Sequence, residues 1–136
     1  KFLVTGSSGY VGNYILKRLA AARPDATIIG MSRSGNARDE EAKAFKNVQY
    51  VKGNCLFIDS FEQHLDGVNG IVHCVGTLIE KKQDYQLTYK AMNRDSCINM
   101  AKALNKLANS SKDRTFVMLS SAKAVAFLGE YYNTKG

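Results

Sequence analysis

Short apolar runs alternate along this chain with stretches in which apolar positions recur every three or four residues. The first run, about residues 1–5, predicts a strand, and Val11, Ile15, Leu16 and Leu19 then share one face of a helix predicted over Tyr10–Ala22. Arg23-Pro24-Asp25 ends that helix. A second strand is predicted over Ala26–Met31, a loop over 34–38, a short polar helix near Asp39–Phe45 and a third strand over Val48–Lys52. Ser60 and Gln63 have the spacing of a capping box, opening a helical turn that Gly67 closes. A fourth strand follows over Gly70–Val75, a long helix over about Tyr85–Asn109 with Tyr89, Met92, Met100, Leu104 and Leu107 along one stripe, and a fifth strand over Thr115–Ser120. This strand–helix alternation, without repeats or low-complexity tracts, predicts an α/β fold built on a doubly wound parallel sheet of about five strands. In such a sheet ligands bind at the carboxyl ends of the strands, where strand order reverses.

Composition narrows the picture modestly. With 136 residues and 45% hydrophobic content the chain can bury one core, and no apolar run approaches the roughly 20 residues that span a bilayer, so no transmembrane segment is expected. It opens at Lys1 inside a strand-like run and therefore says nothing about a targeting segment. Cys55, Cys74 and Cys97 lie 19 and 23 residues apart, with no CxxC pair, which favours reduced thiols over disulfides and predicts no metal site. The net charge of +7 comes from lysines and arginines scattered along the chain, without a basic cluster interleaved with aromatics, so nucleic acid is not the expected partner.

The chemistry begins at "TGSSGYVG", residues 5–12, directly between the first strand and the first helix. Gly6 suits a tight turn, Gly9 lets bare backbone approach a pyrophosphate, and Gly12 lets the helix pack closely on the strand. The helix N-terminus then offers unpaired N–H groups to the anion. About 20 residues beyond the glycines, an NAD-binding protein usually carries an Asp or Glu for the ribose hydroxyls. Here the corner reads Met31-Ser32-Arg33-Ser34, and Ser32 with Arg33 suits a 2′-phosphate through charge-assisted hydrogen bonds. NADP(H) is therefore favoured over NAD(H).

Near the other end, the predicted fifth strand runs into "LSSA", and Tyr131 follows Ser121 by ten residues, with Lys135 at i+4 from the tyrosine. A lysine beside a phenol favours the phenolate, which makes Tyr131 a candidate general acid/base. Ser121 would hydrogen-bond a substrate oxygen, and Lys135 would also reach the nicotinamide ribose.

Taken together, TGSSGYVG, Asn93 and Asn99 in the fourth predicted helical segment, "LSSA" and "YYNTK" resemble the short-chain dehydrogenase/reductase superfamily, in its extended or atypical branch, over the whole chain. The resemblance implies a Rossmann-type NAD(P)-binding domain over residues 1–136 that stops just after the YxxxK motif, the N-terminal part of a longer domain. It implies that Asn93 supports the active-site Lys135 through water. It also implies cofactor contacts from Gly6, Ser8, Gly9, Tyr10, Val11 and Gly12, from Ser32 and Arg33, and from Asn54, Cys55, Val75, Gly76 and Lys135. Asn54 stands where the superfamily usually has an Asp contacting adenine, and its amide can still hydrogen-bond there. His73, on a predicted buried strand, is expected to be a satisfied core residue without chemistry.

"MSRSG", "IVHCVGTLIE" and "YKAMNRDSCINMAKAL" further resemble mitochondrial atypical members linked to coenzyme Q biosynthesis and, more distantly, the accessory subunit of respiratory complex I from the same superfamily. That likeness implies a mitochondrial protein on the matrix side of the inner membrane. Two readings follow: an NADP(H)-dependent oxidoreductase, epimerase or dehydratase, or a nucleotide-binding accessory or assembly subunit of a respiratory or quinone-synthesis complex of the inner membrane.

Overall fold

The computed structural model describes residues 1–75, 90–106 and 114–118. Five strands form one parallel sheet in the order β3-β2-β1-β4-β5, with β1 over Phe2–Thr5, β2 over Ile28–Ser32, β3 over Val48–Lys52, β4 over Gly70–His73 and β5 over Thr115–Met118. β1 lies at the centre, paired on one side with β2 and on the other with β4, so the chain reverses direction of travel across the sheet between them. That reversal opens a crevice at the carboxyl ends of β1 and β4. Among the described residues the α-helices are α1 over Tyr10–Ala22, α2 over Glu40–Lys43 and α3 over Ser96–Lys106.

The two-residue alternation of a strand sorts the core into two layers. Leu3, Ile29, Met31 and Ile71 point to one face, where Phe61, Leu65, Met100 and Ala103 cover them. Val4 and Ile28 point to the other, against Leu16 and Ala20 of α1. Both faces of β1 and β2 are thus buried, which is why these strands read as continuous apolar runs. Asn47 fastens the far end of α1, its side-chain amide donating to the carbonyls of Ala20, Arg23 and Ala26 at 3.1–3.2 Å.

The predicted α1 and β3 match the observed spans, and other boundaries move for identifiable reasons. Ala26 closes a turn, its N–H bonded to Arg23 O at 3.1 Å, so β2 starts at Ile28; it extends to Ser32, in register with Lys52. β4 stops at His73 because the next amide, Cys74 N–H, turns to Thr5 Oγ1 at 3.1 Å. The expected capping box is absent: Ser60 ends a 3₁₀ turn over Ile58–Ser60, its hydroxyl engaged by the Asn54 backbone, and Phe61 precedes the next turn, Glu62–Leu65. The long fourth predicted helix, in its described part, opens with a π-helical turn over Lys90–Asp95 before the regular α3.

Candidate functional site

The link from β1 to α1 is a turn that only small residues permit. Gly6 has φ +65°, and a Cβ there would stand 2.9 Å from the Cys74 carbonyl oxygen. Gly12 lies against the same turn, and a Cβ on it would run into the Gly6 carbonyl. The turn is held by Gly9 N–H donating to Gly6 O at 3.0 Å and by Ser7 N–H donating to Met31 O at 3.1 Å. Helix α1 starts from Gly9 in an extended conformation, with no side-chain cap and no acidic residue in its first turn. Its first N–H groups and the positive end of its dipole are therefore left for an external anion.

Beside this turn lies a cleft of about 220 Å³ at the carboxyl ends of β1 to β4. Gly6, Ser8 and Gly9 form one wall; Met31, Ser32 and Arg33 continue from β2, Gly53 to Leu56 from β3, and Cys74 and Val75 from β4. Ser96 of α3 also faces it. None of these lining residues is acidic. A second, shallower depression of about 280 Å³ adjoins it, shared by Arg33, Gly53 and Asn54 and bounded by Lys52 and Ser60. Two cationic side chains thus stand where β2 and β3 end. Asn54 shapes its own loop, Oδ1 accepting from Leu56 N–H at 2.9 Å, while Asn99 of α3 donates to the carbonyls of Cys55 and Leu56 at 3.0 and 3.1 Å. Burial, reinforced by Cys97, pushes the Cys55 thiol up to about 12, so it lines the cleft as a neutral, unreactive group.

The loop after β2 is pinned at both ends. Ser32 Oγ accepts from Gly35 N–H at 3.0 Å, and Ser34 Oγ accepts from Asn36 N–H at 3.2 Å. At the far end, Asp39 caps α2 by accepting from Ala42 N–H at 2.8 Å, accepts from the Asn13 amide at 3.0 Å and pairs with Lys17 at 3.3 Å. The Ala42 hydrogen bond, followed by those from Asn13 and Lys17, outweighs partial desolvation and holds the Asp39 carboxyl below its usual range. Next to it, Arg38 Nη1 donates to Ser8 O at 2.8 Å, and its guanidinium lies 5.8 Å from the Tyr10 ring centre.

Beneath the turn, His73 is fully buried and engaged at both ring nitrogens, Nδ1 with Thr5 Oγ1 at 2.8 Å and Nε2 with Ser96 Oγ at 3.2 Å. Its ring stacks on Phe116 at 6.0 Å. This is the satisfied core histidine expected from sequence. It joins β1, β4 and α3 under the cleft.

Of the residues singled out in sequence, Gly6, Ser8, Gly9, Ser32, Arg33, Asn54, Cys55 and Val75 converge on the cleft. Tyr10 and Val11 stand exposed on the first turn of α1, and Gly12 packs beneath it. Asn93 is buried in the π-helical turn and does not line the cleft. Gly76, Ser121, Tyr131 and Lys135 lie outside the described residues. Sequence reasoning missed Met31, Gly53, Leu56, Cys74 and Ser96 as lining residues, and Arg38 and Asp39 as the far anchor of the loop. The first four adjoin residues it did select, so the strand ends carried a usable signal; Arg38 and Asp39 reach the site through contacts 30 and 26 residues apart, which no local pattern reveals.

Comparison with known proteins agrees with this geometry. Residues 2–131 match the model of the NAD dependent epimerase/dehydratase family. The chain belongs to that family, and its fold is that of the short-chain dehydrogenase/reductases. It is 25% identical over 132 residues to "MIOREX complex component 2" of Saccharomyces cerevisiae, covering 92% of this chain and 47% of that protein. The chain therefore spans about half the length of this curated relative. Among solved structures, a short-chain dehydrogenase/reductase from Burkholderia vietnamiensis superposes with TM-score 0.72 at 19% identity, over 98% of this chain and 70% of that one. Uronate dehydrogenase from Agrobacterium tumefaciens, solved in complex with NAD, superposes with TM-score 0.66 at 24% identity, over 88% of this chain and 40% of that one.

Proposed function

We propose that the chain is the nucleotide-binding part of an NADP(H)-dependent protein of the short-chain dehydrogenase/reductase type. One observation carries this reading: an uncapped helix N-terminus behind a glycine turn opens into a cleft whose β2 corner presents Arg33 and no carboxylate. The residues fit the dinucleotide. The turn and the first N–H groups of α1 would hold the diphosphate, with Tyr10 and Val11 supplying backbone donors, and Arg33 with Ser32 would take the 2′-phosphate, Lys52 adding a second positive charge nearby. Asn54, Cys55, Val75 and Gly76 would flank the adenosine and the approach to the nicotinamide.

A bound nicotinamide supplies hydride transfer; the chain's own residues would manage the proton and the substrate oxygen. Ser121 would donate a hydrogen bond to that oxygen, and Tyr131 would give or take the proton at its phenol oxygen. Lys135 would lower the phenol's pKa and hold the ribose, with Asn93 steadying Lys135 through water. Residues 1–136 would then form a single NAD(P)-binding domain.

The test is calorimetric titration of the full-length natural protein with NADPH and NADH. NADPH is expected to bind at least tenfold more tightly, and Arg33→Ala to remove that preference while sparing NADH. Equal or tighter binding of NADH by the unaltered protein would overturn the cofactor assignment.

A second reading is favoured by the yeast relative, whose name describes a component of a complex. In it the protein binds nucleotide as an accessory or assembly subunit of a respiratory or quinone-synthesis complex, on the matrix side of the mitochondrial inner membrane. Tyr131→Phe in the full-length protein separates the two. Loss of function in cells with nucleotide binding intact supports an enzyme; retained function, with the protein migrating in a large assembly, supports the subunit.

A further inference from the structure

The Ser8–Gly9 peptide is held at both ends. Its N–H donates to Gly6 O at 3.0 Å, closing the glycine turn from within, and its carbonyl accepts from Arg38 Nη1 at 2.8 Å, a group from outside the turn. Arg38 is itself restrained. Its guanidinium lies over the Tyr10 ring, 5.8 Å from the centre, and the next residue, Asp39, is bound to Asn13 and Lys17 of α1. The loop that begins with Arg33 therefore ends in a clasp that grips the start of the very helix whose N-terminus faces the cleft.

A turn made of Gly6, Ser7, Ser8 and Gly9 has little intrinsic preference for one peptide orientation, because glycine tolerates many backbone conformations. A turn that leads an anion to a helix N-terminus nevertheless works only if its carbonyls face away from the anion. A guanidinium donor on the outward carbonyl selects that orientation before any ligand arrives, and preorganisation of this kind improves affinity by reducing what must be ordered on binding.

We propose that Arg38 is a positioning residue that holds the Ser8 carbonyl outward, and with it the glycine turn in the form that leaves the first N–H groups of α1 open to the cleft, and so couples the loop after β2 to the diphosphate cradle. The inference rests on the dinucleotide reading above for its ligand, but it concerns a different part of the molecule from Arg33. Arg33 lies in the cleft and would touch the phosphate that distinguishes NADPH from NADH. Arg38 does not line the cleft and acts on the turn that receives the diphosphate common to both.

The two roles give opposite signatures in the full-length protein. Arg38→Gln should weaken NADPH and NADH by the same factor, roughly five- to tenfold, the size expected on losing one hydrogen bond of this kind. Amide hydrogen exchange of residues 6–12 should also quicken in Arg38→Gln without nucleotide, while exchange in β1 and in the second half of α1 stays unchanged. Loss confined to NADPH would overturn the proposal, because Arg38 would then be contacting the 2′-phosphate itself. So would unchanged exchange in residues 6–12, whatever the affinities. Should the unaltered protein bind neither nucleotide, the functional reading fails, and the exchange experiment still decides whether Arg38 holds the turn.

Discussion

At the scale of single residues, Gly9 and Gly12 show how one motif serves two physical ends. A methyl group on Gly12 would collide with the Gly6 carbonyl, a backbone atom that cannot step aside, so Gly12→Ala should destabilise the fold by at least the ~1–3 kcal/mol typical of overpacking. A methyl on Gly9 meets only Gly6 O, at 3.2 Å, and the residue's φ of −76° suits alanine. Gly9→Ala should therefore cost about 1 kcal/mol as a poorer helix cap, yet weaken dinucleotide binding at least tenfold by standing where the diphosphate approaches. Urea unfolding with and without NADPH measures both quantities; parallel losses in the two variants would show that the motif acts through stability alone. The spacing of the glycines made the close packing of Gly12 legible in sequence. It could not show which side chain orders the turn, because Arg38 lies 30 residues from Ser8 and looks from its neighbours like an ordinary loop cation.

At the scale of elements, helix α2 is a four-residue helix that could not persist alone, and Asp39 gives it both a cap and a tie to α1. The Asp39 carboxyl is held below its ordinary value chiefly by the hydrogen bond from Ala42 N–H, assisted by Asn13 and Lys17. A carboxylate depressed by folding stabilises the native state wherever it is ionised in both states, and that contribution fades as pH falls through the unfolded value near 4 toward the lower folded one. Asp39→Asn keeps a capping oxygen but removes the ionisation. It should lower the urea midpoint at pH 7, where the carboxylate contributes, and the gap to the unaltered protein should close between about pH 5 and pH 3. An identical pH dependence in the two proteins would show that the cap carries no linkage. Elsewhere the boundaries of α1 and β3 follow directly from local pattern, whereas Ser60 misled. Its Oγ serves the backbone of Asn54 rather than a helix, a choice decided by the fold of the loop after β3 and not by the i, i+3 spacing with Gln63.

At the scale of the whole molecule, the alternation of strands and helices sufficed to predict a parallel sheet, and the placement of TGSSGYVG marked the edge where the cleft lies. The strand order was less directly readable: apolar runs record how deeply a strand is buried, not which neighbour it pairs with. The buried Thr5–His73–Ser96 chain shows the same limit, since it joins residues up to 68 positions apart and only its histidine stood out. The sheet edge that carries the cleft is assembled from the ends of four strands and α3, so occupation by the proposed ligand should stabilise them as one unit rather than only the glycine turn. A ligand present at a hundred times its dissociation constant adds about 2.7 kcal/mol to the folded state, a rise of roughly 5–10 °C in Tm for a protein of about 150–250 residues. For the full-length protein, NADPH should give that rise at concentrations where NADH gives less. On the proposed NADP(H) reading, salt should erode the NADPH shift more than the NADH shift, because the 2′-phosphate adds charge that Arg33 and Lys52 would meet at the surface. A scan of Tm against both nucleotides at 50 and 500 mM salt tests this: equal shifts that respond equally to salt would mean that the cations at the ends of β2 and β3 take no part in choosing the cofactor.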